Sequence, residues 1–157
     1  LAALEMMKQV VSKCPDEVWR NPKHTNQFWH IAYHALFYTH LYLQSQEADF
    51  VPWSKHRRNL NAFGPTPWAP GEEFELGEPF SQQEILEYLA LCQREVQKQT
   101  NNLILESSSG FSWIPLSKLE LQFYNIRHLQ LHIGELAERL WVEGKVEVGW
   151  VGQYPKD

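Results

Sequence analysis

Apolar positions in this chain gather into four runs with helical spacing. In residues 1–13, LAALEMMKQVVSK, strong helix formers carry Leu4, Met7 and Val11 at intervals of three and four, which predicts a first helix that Pro15 ends. The following PDEVWRNPKHT reads as a connection with a single turn at Asp16–Trp19. A second helix is predicted from about Asn26, a good N-cap residue, to about Gln46. The third is announced by FSQQEI, where Ser81 and Glu84 form a capping box and Phe80 with Ile85 a hydrophobic staple, and it runs to about Thr100. A Ser/Gly loop intervenes. The same punctuation then recurs at Ser117 and Glu120, opening a fourth helix that runs to about Glu143 and stops at Gly144 as its C′ residue. The tail 145–157 carries no firm helical pattern.

The second run is unlike the others. From Thr25 to Gln46 there is no Asp, Glu, Lys or Arg, and apolar side chains occupy every face. A helix of that kind is central in its domain or spans a membrane. Three histidines with Asn26, Gln27, Thr39 and Gln44 argue against lipid, so the helix is expected at the centre of a protein core. Residues 47–80 hold five prolines and three glycines interleaved with Phe50, Trp53, Phe63, Trp68 and Phe74. So long an irregular connection is expected to pack back onto the helices, over an opening. The fold class is therefore all-α: a four-helix bundle with a long irregular connection between its second and third helices. Bundles build metal and cofactor sites between facing helices.

Composition narrows the function. The chain has 157 residues, the size of a single domain spanning 1–157, and 43% apolar residues with seven Trp suffice for a sizeable core. A net charge of −5 gives no electrostatic footprint for nucleic acid, and KHRR at 55–58 reads as a solvated loop. There is no run of eighteen apolar residues and no secretory leader in the sequence, which opens on Leu1. Cys14 and Cys92 lack CxxC spacing, and a reducing cytoplasm is the expected location. Cys92 reads as a small buried hydrophobe.

The candidate chemistry lies in the histidines. His128 and His132 stand four residues apart on one face of the fourth helix, a spacing that lets two imidazoles converge on one ion. His30 and His34 repeat that spacing on the second helix, while His40 points elsewhere, and His24 and His56 fall in loops, where surface positions are expected. Alone, a helical HxxxH is a weak signal. Buried imidazoles on a helix without other charge nevertheless need partners, and an ion shared between helices supplies one. Glu135 and Asn125, one turn from His132 and His128, are candidate acceptors for the second ring nitrogens, and Glu135 is equally placed to pair with Arg139. HExxH, ExxH, GxSxG, P-loop and dinucleotide motifs are absent.

HLQLHIGEL resembles the HxxxHxGxL pattern on the last helix of the DinB/YfiT-like superfamily, and FWHIAYHALFYTHLYL is similar to that family's second helix. The likeness runs through nearly the whole chain in helix order, with motif-level agreement confined to these two helices. The resemblance implies a divalent metal ion, zinc or nickel, held by His34, His128 and His132, with His30 as the alternative to His34. It implies a metal-dependent enzyme of the thiol S-transferase or hydrolase type, acting on a small-molecule substrate with a low-molecular-weight thiol, and a homodimer. Three imidazole ligands leave positions open, as catalytic rather than structural sites do. The competing readings are a non-catalytic module, whose histidines are satisfied core residues or whose bundle binds an apolar ligand or a partner beneath the aromatic loop at 47–80, and a bis-histidine haem site between the second and fourth helices.

Overall fold

The computed structural model describes residues 1–66, 70–71 and 74–154. Among them the chain is all-helical: α1 (Ala2–Ser12), the single turn α2 (Asp16–Trp19), α3 (Phe28–Tyr42), α4 (Gln82–Gln99) and α5 (Lys118–Arg139). Helix α3 packs on α5 and α4, and α1 packs on the same two, so the four longer helices form a closed circuit. Thirteen of the fifteen residues of α3 are buried; His34 and Tyr38, one turn apart, are the two that are not. None of the helices is long and apolar enough to cross a membrane.

Both expected capping boxes form. The Ser81 and Ser117 hydroxyls accept from the backbone N–H of Glu84 and Glu120, whose carboxylates accept in return from the serine N–H groups. Helix α3 is shorter than its pattern predicts. It starts after Gln27, whose side chain accepts from the Trp29 indole instead of capping, and Asn26 is not the cap. It ends at Tyr42 rather than near Gln46, because side chains of α5 take its last carbonyls. Gln122 donates to Tyr42 O, and the Lys118 ammonium donates to Gln44 O at 2.9 Å and Ser45 O at 2.8 Å, and also to Ser109 O. Lys118 is 1% exposed, a buried cation whose charge is met by carbonyl oxygens. Gly110 (φ +82°) lets its loop close over this point, since a Cβ there would collide with the Ser45 carbonyl.

The fourth predicted helix also ends differently. Its α-helical hydrogen bonding stops at Arg139, Leu140–Gly144 forms a wider π-turn, and the left-handed residue is Lys145, not Gly144. Gly144 lies against Pro15, where an added Cβ would sit 3.2 Å from the ring.

The connection from 47 to 80 packs back as expected in its described parts. Trp53 stacks on Tyr88 with centroids 4.7 Å apart, Leu60 and Phe80 are buried, and Phe74 stacks on His30. Pro67 and Trp68 lie outside the described residues. The KHRR segment is solvated only in part: Lys55 and Arg58 are exposed, whereas His56 and Arg57 pack inward. His56 is half-buried, bonds Tyr33 Oη at 2.5 Å and stacks on Phe37, while the Arg57 guanidinium lies 4.0 Å from the Phe80 ring centroid. Cys92 is fully buried, and burial pushes its thiol far above the ordinary range, as for a small apolar side chain.

Replacing Lys118 with Met should leave three carbonyls without their donor and cost about 3 kcal/mol in urea unfolding. His40 is 5% exposed, and burial pushes it down to about 4 from an ordinary 6.5. The unfolded chain therefore takes up a proton that the folded form resists, so stability is full above about pH 6.5 and falls as the pH drops toward 4. His40→Gln should remove about 2 kcal/mol of the stability lost between about pH 7.5 and pH 5, read from urea unfolding at both values.

Candidate metal centre

Helix α5 presents His128 and His132 toward α3, and α3 presents His34 back. The three rings converge. His128 Nε2 lies 3.0 Å from His34 Nε2 and 3.2 Å from His132 Nε2, and the three ligand atoms lie within 4.8 Å of one another. Two imidazoles bound tetrahedrally to one ion at about 2.0–2.1 Å have nitrogens roughly 3.3 Å apart, so two edges of this triangle already have that span. Two of the rings are half-buried and His132 is buried.

The chemistry of the outer nitrogens decides where the protons sit. His34 Nδ1 lies 2.7 Å from the Asn61 carbonyl, which can only accept, so Nδ1 carries the hydrogen. His132 Nδ1 lies 3.2 Å from Glu135 Oε2, and a carboxylate fixes the same tautomer. Both rings thus aim an Nε2 lone pair at the shared point. His128 Nε2 can offer one proton to one of them and not to both. A second proton is disfavoured. Burial, reinforced by the charge His132 would carry, lowers His34 to about 3 and His128 to about 4. Three neutral imidazoles facing one another with too few protons are a donor set that a cation satisfies.

The surroundings hold this arrangement. Phe63 stacks on His34 at 4.1 Å, and Tyr38 lies edge-on to His34 and His128 at 4.9 and 5.5 Å. Glu135 serves both roles that its position offered: its second oxygen accepts from Arg139 at 2.8 Å, and Arg139 also donates to Asn26 O. Asn125 does not serve His128. Its amide donates to Thr39 O, and its Oδ1 and His128 Nδ1 are buried without partners among the described residues.

The remaining histidines stand apart. His30 is 1% exposed and bonds the Leu60 carbonyl at 2.7 Å, facing the connection rather than the triangle. His40 lies against Phe50 and Tyr88. His24 pairs with Glu143 at 2.5 Å. Asn61, Phe63 and Tyr38 escaped the sequence reading, because a backbone carbonyl carries no residue signature and the two aromatics are unremarkable within an aromatic-rich chain. The only advance signal was the clustering of aromatics in the 47–80 connection.

Comparison with protein-family models, curated proteins and solved structures finds no match to this chain.

If Glu135 orients His132, Glu135→Gln should weaken zinc affinity about tenfold or more in a chelator competition titration. Unchanged affinity would assign the carboxylate to Arg139 alone.

Proposed function

We propose that this chain is a four-helix-bundle metalloprotein of the DinB/YfiT-like kind, binding one divalent ion, zinc or nickel, through His34, His128 and His132. The observation that carries the reading is the pair of Nε2 lone pairs, on His34 and His132, aimed with His128 Nε2 at one point by hydrogen bonds on their far sides. The side chains present fit such an ion: three neutral nitrogen donors, no charged ligand, and two rings oriented from behind by a carbonyl and a carboxylate. When bound, a divalent ion there supplies Lewis acidity, which acidifies a thiol or water and polarises a substrate oxygen.

The chain's own residues do the rest. Phe63 and Tyr38 limit water around the imidazoles, which strengthens electrostatic interactions inside. Asn61 and Glu135 hold the ring tautomers through turnover. Neither Cys14 nor Cys92 is placed to act as a nucleophile, since both are buried and burial raises their thiol pKa values. The nucleophile is therefore brought in, and the reading is thiol transfer to an electrophile or hydrolysis of a small molecule. It extends to a homodimer, for which Leu119, Phe123 and Ile126 offer an exposed apolar stripe along α5.

The test is metal stoichiometry. Stripped protein reloaded with zinc or nickel should hold one equivalent per chain by elemental analysis. His34→Ala, His128→Ala and His132→Ala should each lower the affinity by at least about tenfold, while His30→Ala and His40→Ala retain it. Parent-like loading in the first three variants would refute the site. Consumption of a small thiol with an electrophile by the loaded protein, absent from the stripped protein, would then select transferase over hydrolase.

A further inference from the structure

The sheath around α3 opens at two residues, His34 and Tyr38. The first belongs to the histidine triangle. The second borders a cavity of about 690 Å³ whose walls are Phe37, Tyr38, Leu41, Phe50 and Trp113. That volume lies within the range of small-molecule sites, and the lining, mostly aromatic with a few polar groups, is of the kind such sites show. The polar groups are Asn61 and Glu47.

Two residues join this cavity to the triangle. Tyr38 forms its wall on one side and meets His34 and His128 on the other. Asn61 accepts from His34 through its carbonyl and reaches Tyr38 Oη through its amide at 3.3 Å. A molecule resting against Tyr38 is thus one ring away from the imidazoles. At the mouth, Trp113 is 50% exposed, a large apolar surface left in water unless something covers it. By contrast, the cavity of about 480 Å³ near His40 has Asp49, Glu87, Arg94, Glu95 and Lys98 among its lining residues, five charged side chains where the Tyr38 cavity has one.

From this geometry we infer that the cavity beside Tyr38 binds the aromatic part of the substrate, and that this substrate carries no negative charge. The inference rests on the metal-site reading for its chemistry but not for the binding itself. Aromatic walls hold a flat apolar group by burial and by offset or edge contacts, and they tolerate a cation over a ring face. Glu47, an exposed residue, is the charged side chain on the lining, and no Lys or Arg joins it among the described residues, so an aryl carboxylate would meet a repulsion that salt only partly screens.

A matched series tests this: 2-naphthylmethanol, 2-naphthylmethylamine and 2-naphthoate, titrated by NMR into stripped, zinc-loaded and cobalt-loaded protein. The alcohol and the amine should bind, and the carboxylate should bind at least about tenfold more weakly. Trp113→Ala and Phe50→Ala should each weaken the alcohol about fivefold or more, with metal content unchanged in Trp113→Ala. Glu47→Gln should narrow the gap between amine and carboxylate. Cobalt should relax the bound naphthyl protons far more than zinc. Equal binding of all three probes, parent-like affinity in Trp113→Ala, or no relaxation by cobalt in protein that holds it would overturn the proposal. If the chain held no metal yet the probes still bound through Trp113, the metal reading would fall and the aromatic site would stand.

Discussion

Two hydrogen bonds that point away from the histidine triangle determine its character. His34 gives its Nδ1 proton to the Asn61 carbonyl, and His132 gives its own to Glu135. Each therefore turns a lone pair inward. With the opposite tautomers the rings would bring protons to the centre, and the three could close as an ordinary hydrogen-bonded cluster. Burial removes the other escape, since protonating a desolvated imidazole beside two others is unfavourable. What remains is three neutral imidazoles whose inner nitrogens have at most one proton to share among them.

That convergence needs α3 and α5 in one register, and α5 side chains fix it along the whole length of α3. Arg139 donates to Asn26 O ahead of the helix, Asn125 to Thr39 O within it, Gln122 to Tyr42 O at its end, and Lys118 to Gln44 O and Ser45 O just beyond. The partners descend on α5 as they ascend on α3, an antiparallel ladder with the histidines inside it. A helix without charged side chains is free to slide in an apolar core. Here its carbonyls, gripped from outside, supply the specificity that its own side chains lack. Glu135 links the ladder to the site, holding Arg139 with one oxygen and His132 with the other.

The parts of this arrangement that were legible in the sequence are those with local causes. Ser81–Glu84 and Ser117–Glu120 announce their helices because a capping box is complete within four residues. The uncharged run from Thr25 to Gln46 announces a buried helix. Its ends were not legible, since the carbonyls that end it go to Lys118 and Gln122, more than seventy residues away. Lys118 itself, next to a capping serine, has the sequence context of a solvated lysine. The choice between His30 and His34 was also hidden. One turn apart on the same helix, they are separated by which carbonyl of the connection each meets: Leu60 for one, Asn61 for the other. The pairing of Glu135 with both His132 and Arg139 was legible as two alternatives, and only the geometry makes them simultaneous.

His30 serves as an internal control for the reading of the histidines as structural. It is buried in the same helix, with Nε2 on a backbone carbonyl and rings of Phe63 and Phe74 against it, which is how a core imidazole is satisfied. The triangle differs in kind. Its inner nitrogens face one another instead of a carbonyl or hydroxyl, and they lie close enough together to hold a metal ion. A haem fits this arrangement less well than a single ion does. Two axial imidazoles on one iron at about 2.0 Å stand roughly 4 Å apart across a flat macrocycle. His34 and His128 approach to 3.0 Å, with His132 filling the flank and Phe63 stacked on His34. A porphyrin would require those rings to part, whereas a single small cation needs only the point at which the three nitrogens meet.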